Sequence, residues 1–169
     1  MVVSESANAC LKSLINLVYD RLLIADQVAL SKWYSGKAVQ DTDRENQVIE
    51  NAANLAPNYN LNTEFVKTFF RDQIEANKGV QYYLLAEWRR QNGPPGPKES
   101  IRDLNKIRSE LDQLQVELFE ELSRTQEIRK ADECLAKLAK ETGDFTQSQN
   151  ATAAHLVILE RALANVCVR

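Results

Sequence analysis

Arg21, Lys32 and Arg44 stand at spacings of 11 and 12 residues in the stretch RLLIADQVALSKWYSGKAVQDTDRE. Eleven residues of α-helix make about three turns, so Arg21 and Lys32 fall on one stripe, roughly 16 Å apart along the backbone. Ala25 and Val28 form the rung between them, small or apolar residues across which two long cations can lean toward each other. Such a clamp suits a small dianion. Further polar groups stand where a helix needs none: Asp41 and Glu45 around Arg44, an i,i+4 pair in Asn77 and Gln81, and Arg108 beside Ile107 and Leu111 at the edge of an apolar seam. Gly79, between Asn77 and Gln81, leaves room for another backbone or a ligand to come close. Each residue also has a plainer reading. Arg21 could pair with nearby acids, Lys32 and Arg44 could be solvated, Asn77 and Gln81 could be surface groups, and Arg108 could pair with Asp112, since most surface charges do little.

Other chemistries find no footing. The chain has no Gly-rich phosphate loop, no GxSxG, no HExxH and no CxxC. The one histidine, His155 in ATAAHLVILE, reads as structural. With Cys10, Cys134 and Cys167 it makes no metal-ligand pattern, so neither a metal nor a cofactor is expected. Cys134 and Cys167 read either as two buried thiols of a reducing compartment or as a disulfide of an exported protein, with Cys10 the odd thiol. A net charge of −3 gives no basic stripe for nucleic acid. No apolar run approaches the ~20 residues of a membrane span. No leader is visible, and a chain opening MVVSESANAC is expected to be a mature form with its leader removed.

The elements that must position these residues are helical. With 169 residues, 44% of them hydrophobic, and only five glycines and four prolines, the chain has core enough for one domain and few breaks. We expect an all-α, single-domain bundle (residues 1–169) of about six helices. The first is long, over 5–36, with Leu11, Leu14, Ile15, Val18, Leu22, Ala25 and Ala29 at 3–4 spacing and Gly36 as its C-cap. The second starts at Thr42 with Glu45 in a capping box and stops before Pro57. The third runs from Asn62 or Thr63 to about Gln91. The run RRQNGPPGPKES is a connector, not a domain boundary. The fourth runs from about Lys98 to Arg124, capped by Ser100 with Asp103; the fifth spans 126–142 and ends at Gly143; the sixth spans about 147–167.

Taken together, R-x10-K-x8-D-x2-R-E, a later helix with N-x3-Q and an arginine on the helix after it resemble the all-helical chorismate mutases, and more closely their secreted subclass. The strings RLLIADQVALSKW, RDQIEANKGVQYYLLAEW and DLNKIRSELDQL carry the resemblance over about residues 15–115. It extends through Cys134 and Cys167, whose separation matches the disulfide of secreted members.

The resemblance implies rearrangement of chorismate to prephenate. Arg21 would then bind a substrate carboxylate, and Lys32 and Gln81 would donate to the ether oxygen. Arg44 would organise the carboxylate end, with Asp41 and Glu45 near the ring hydroxyl. Asn77 takes a position usually held by Ser or Thr, and Val48 one that some members fill with a polar residue. Arg108 matches the arginine that secreted members use in place of one from a partner subunit, so even a homodimer would carry a complete site in each chain. The implied partner is a small molecule, with no nucleic acid and no membrane, and the implied location is periplasmic or secreted. Two rivals share these features: an isochorismate-pyruvate lyase on the same scaffold, and an exported, non-enzymatic bundle that binds a protein through its last helices.

Overall fold

The computed structural model describes residues 3–98 and 103–168, with side chains from Leu11 onward and without that of Leu104. Seven α-helices and one 3-10 turn, and no strand, are present among the described residues. The expectation placed on the Cys10 thiol falls outside the described side chains, and that on the Ser100 cap outside the described residues.

Helix α1 (Val3–Ser35) is the spine. Its apolar stripe is buried as its periodicity dictates: Leu11, Leu14, Ile15, Val18, Ala25 and Ala29 are fully covered. It packs against α3 (Thr63–Arg90), α4 (Leu104–Arg124) and α6 (Cys134–Ser148). Gly36 follows at φ +72°, a left-handed conformation that lets the chain turn sharply out of the helix.

Helix α2 (Thr42–Leu55) is capped by Asp41 and not by Thr42. Asp41 Oδ1 accepts from Arg44 N, while Glu45 Oε2 accepts from Asp41 N, a reciprocal box one residue earlier than expected. The 3-10 turn Ala56–Tyr59, with Pro57 in it, ends α2, and Asn62 caps α3 by accepting from Phe65 N. A ring stack of Phe65, Phe69, Phe70, Phe119 and Tyr59 fills the core between α3 and α4.

The second half departs from the expected boundaries. Helix α4 begins at Leu104 with Asp103 as its cap. The expected helix over 126–142 is two: α5 (Gln126–Lys130) and α6. Ala131 is extended between them because Arg129 is engaged elsewhere. Its guanidinium donates to Leu122 O (2.7 Å) and lies over the Phe65 ring, and its carbonyl accepts from Val168 N (2.8 Å). Gly143 does not end α6, because its backbone keeps an ordinary helical φ and glycine without a turn to make is only a weak breaker. The left-handed Asn150 (φ 51°) makes the turn instead, and α7 (Ala153–Ala162) is shorter than expected. Cys167 therefore lies beyond a helix and not within one. It is bonded to Cys134, with Cα atoms 5.8 Å apart. Leu55 and Leu156, apolar residues of α2 and α7, are exposed.

Polar ties clamp α7 onto α3. Gln73 donates to Ala162 O (2.8 Å), and Asp72 accepts from Asn165 (2.8 Å) and Arg161. With α7 held there, α3 is braced from behind, and its opposite face can carry the polar residues of a cavity.

Candidate active site

Between α1, the start of α2, α3 and the start of α4 lies a cavity of about 370 Å³. All nine residues singled out for substrate contact line it: Arg21, Lys32, Asp41, Arg44, Glu45, Val48, Asn77, Gln81 and Arg108. Four elements must be in register to bring them there, and each supplies its share for a local reason. Helix α1 offers Arg21, Val28 and Lys32 at i, i+7 and i+11, one stripe of a helix. The box at Asp41 fixes the first turn of α2, where Arg44, Glu45 and Val48 follow. On α3, Ile74, Asn77, Lys78 and Gln81 repeat at i, i+3, i+4 and i+7.

The rung between the two α1 cations is only half as expected. Val28 lines the cavity, whereas Ala25 is buried in the core. Gly79 does not face the cavity either. A Cβ there would meet Ile158 of α7 at 3.7 Å, an ordinary contact, so the position faces α7 and a small side chain would fit there.

Arg21 is half-buried and is not paired with an acid among the described residues. Nη1 donates to Gln73 O at 3.3 Å, and burial lowers the guanidinium's pKa to about 10, so it stays charged at neutral pH. One long hydrogen bond leaves the charge of this half-buried cation largely uncompensated. Lys32 Nζ donates to Val39 O at 2.9 Å. Desolvation lowers its pKa below the ordinary lysine value, although the charges of Asp41 and Glu45 pull the other way. Gln81 is 3% exposed, so it is no surface group. Its Nε2 donates to Asn77 Oδ1 (2.6 Å), while Oε1 is buried without a hydrogen bond among the described residues. Arg44 and Arg108 are exposed and carry positive charge to the open side, and no ion pair joins Arg108 to Asp112.

Sequence reasoning passed over Lys78, which lines the same cavity. Its ammonium meets Glu45 Oε1 at 2.7 Å and Glu75 Oε1 at 2.9 Å. The periodicity 74-77-78-81 would have placed it, but a lysine on a polar helix face reads by default as solvated. His155 lies outside the cavity. Its Nδ1 is 2.8 Å from Thr152 Oγ1, at the α7 cap. No cluster of His, Cys, Asp or Glu able to hold a metal occurs among the described residues. None of their helices is long and apolar enough to cross a membrane.

A helical bundle that aims five cations and a buried amide into one cavity defines a class: a protein built to hold a small anion through several of its groups at once. Comparison with known proteins narrows it. The family model described as chorismate mutase type II matches residues 4–82. The crystal structure of a chorismate mutase from Burkholderia phymatum superposes with a TM-score of 0.90 at 40% identity, covering 97% of this chain and 99% of that one. One from Burkholderia thailandensis gives 0.87 at 33% identity, covering 94% and 99%. The secreted chorismate mutase of Mycolicibacterium smegmatis is 35% identical over 111 residues, which is 66% of this chain and 60% of that protein's length. The chain belongs to the type II chorismate mutase family.

Proposed function

We propose that the cavity converts chorismate to prephenate by a Claisen rearrangement. The reaction is a unimolecular [3,3] shift that calls for neither a nucleophile nor a metal. What a protein must supply is restraint of a flexible dianion in a compact, chair-like conformer, plus stabilisation of charge that grows on the ether oxygen as the C–O bond breaks. Arg21, half-buried and without an acid partner among the described residues, anchors one carboxylate. Arg44 and Arg108 hold the carboxylate end from the open side, since guanidinium groups fix orientation as well as charge. Lys32 and Gln81 donate to the ether oxygen. Because that oxygen gains charge only along the reaction coordinate, their hydrogen bonds strengthen in the transition state and raise kcat. Asp41 and Glu45 face the ring hydroxyl, and Asn77, bonded to Gln81, holds that amide.

The observation that carries this reading is the convergence of Arg21, Lys32, Gln81 and Arg108, from three helices of one chain, on one cavity. All four come from the same chain, so each chain of a monomer or a homodimer holds a whole site. The Cys134–Cys167 bond and the secreted relatives support export to an oxidising compartment.

A chorismate-depletion assay on wild type and Lys32→Ala tests the reading. The variant should lose at least about 10²-fold in kcat, the effect of removing one preorganised donor to a developing oxyanion. Unchanged turnover in Lys32→Ala, or none in wild type, would contradict it. Consumption of isochorismate in place of chorismate would point to the lyase.

A further inference from the structure

Glu45 carries two duties. Oε2 accepts from Asp41 N at 2.8 Å and so closes the cap that starts α2, and Oε1 is 2.7 Å from the Lys78 ammonium. Both partners of the second contact are well covered, with side chains 12% and 18% exposed. The pair crosses from α3 to α2 and is their one ion pair at the cavity. Lys67–Glu50, the other ion pair between these helices, lies outside the cavity lining. Glu75 holds the same ammonium at 2.9 Å from the preceding turn of α3. Burial works against the Lys78 charge, but its bonds to Glu45 and Glu75 outweigh that and raise its pKa above the ordinary lysine value.

The consequence lies in what Glu45 would do without it. A carboxylate inside a cavity shaped for a dianion repels the ligand, and it shares that cavity with the cations meant for the ligand, Lys32 and Arg44. The charge of Glu45 already acts on the Lys32 ammonium. Occupied by Lys78, the carboxylate is neutralised and leaves Lys32 on Val39 O. An ammonium has three donors, so Lys78 can keep both acids at once.

We propose that Lys78 is a positioning residue of this site: by neutralising and fixing Glu45 it holds the first turn of α2 over the cavity and keeps Lys32 and Arg44 available to the substrate. This rests on the reaction proposed above. Lys78 acts through Glu45, so its effect belongs to binding more than to the bond-breaking step.

The test is a double-mutant cycle on chorismate, read as separate KM and kcat. Lys78→Met, of similar length and without charge, should raise KM about tenfold while kcat stays within about threefold. That effect lies between those of an exposed and a fully buried ion pair. Lys78→Arg should recover most of the loss. In a Glu45→Gln background, Lys78→Met should shift KM by less than about twofold, because no carboxylate is left to hold. A wild-type KM in Lys78→Met, or an equal loss in both backgrounds, would overturn the inference while wild-type turnover left the reaction standing. Absence of wild-type turnover would overturn both. If circular dichroism shows Lys78→Met unfolded, Lys78→Gln carries the same cycle with the same two outcomes.

Discussion

Replacing Gln81 by glutamate exchanges an amide that donates at every pH for an acid that donates only when protonated. Gln81 is almost wholly buried, with Nε2 held on Asn77 Oδ1 and Oε1 without a hydrogen bond among the described residues. A glutamic acid placed there starts from an ordinary pKa of about 4.3. Burial pushes that value up and the nearby Lys32 and Arg21 charges pull it down. Above its midpoint the protonated fraction falls tenfold per pH unit. At pH 7.5, about three units above 4.3, as little as ~10⁻³ of the enzyme would hold the donor. The ionised remainder lacks a hydrogen bond to the ether oxygen and adds a like charge beside it, so it should run at least about 10²–10³ slower than wild type. We therefore expect Gln81→Glu to approach wild-type rates near pH 4.5–5 and to trail by about 10²–10³ at pH 7.5.

The assay is kcat/KM from pH 4.5 to 10 for both proteins by chorismate absorbance, with circular dichroism confirming the fold at each pH. Wild type should be flat between pH 5 and 8. Its alkaline limb has a definite sign. In the proposed reaction Lys32 and Arg21 act as cations, and both have folded pKa values lowered by burial, Arg21 to about 10. Activity should thus fall as pH rises through those values, and the limb in kcat should lie higher than in kcat/KM, because a bound dianion favours the protonated forms. A flat Gln81→Glu profile, or a steep wild-type loss between pH 5 and 8, would refute the assignment of Gln81 as a donor.

Two further outcomes follow from the rest of the molecule. Cys134→Ser should lower stability by about 3–4 kcal/mol by the loop-entropy relation, given a separation of 33 residues, read as a lower midpoint in urea with kcat little changed. Arg108→Ala should raise KM at least about tenfold, and wild-type activity per chain should be constant on dilution through any monomer–dimer transition, checked by light scattering beside the assay.

How much of this could be read from residues alone differs between the two halves of the chain. The α1 stripe and the α3 start were legible because they obey local rules: 3–4 spacing and an Asn cap. The cavity residues were legible for the same reason, since their elements are long helices whose periodicity fixes relative facing. The break between α5 and α6 was not. Nothing in QEIRKADECLAK ends a helix by propensity; the break answers to Arg129, which is drawn to Leu122 O and the Phe65 ring, and to Val168 crossing its carbonyl. Lys78 was hidden similarly, because its deciding partner Glu45 is 33 residues away.

That contrast bears on why the site is built from cations with so few internal counter-ions. A chain that only needed stability would pair Arg21 with an acid, since a partly buried guanidinium with one 3.3 Å hydrogen bond is costly. The sign of its pKa shift says as much. Between about 10 and the ordinary arginine value the unfolded chain holds a proton that the folded one sheds, so folding gains as pH rises through that window and bears the full burial penalty below it. A dianion that supplies the missing carboxylate relieves the penalty in the bound state. Part of the strain of folding thereby becomes affinity, aimed at ligands that can reach Arg21 and Lys32 together. The two acids kept in the cavity do not undo this, because Glu45 is held by Lys78 and Asp41 caps α2. In the proposed reaction, wall, cap and ion pair serve one end: leaving unpaired charge where the substrate's two carboxylates and breaking ether bond would lie.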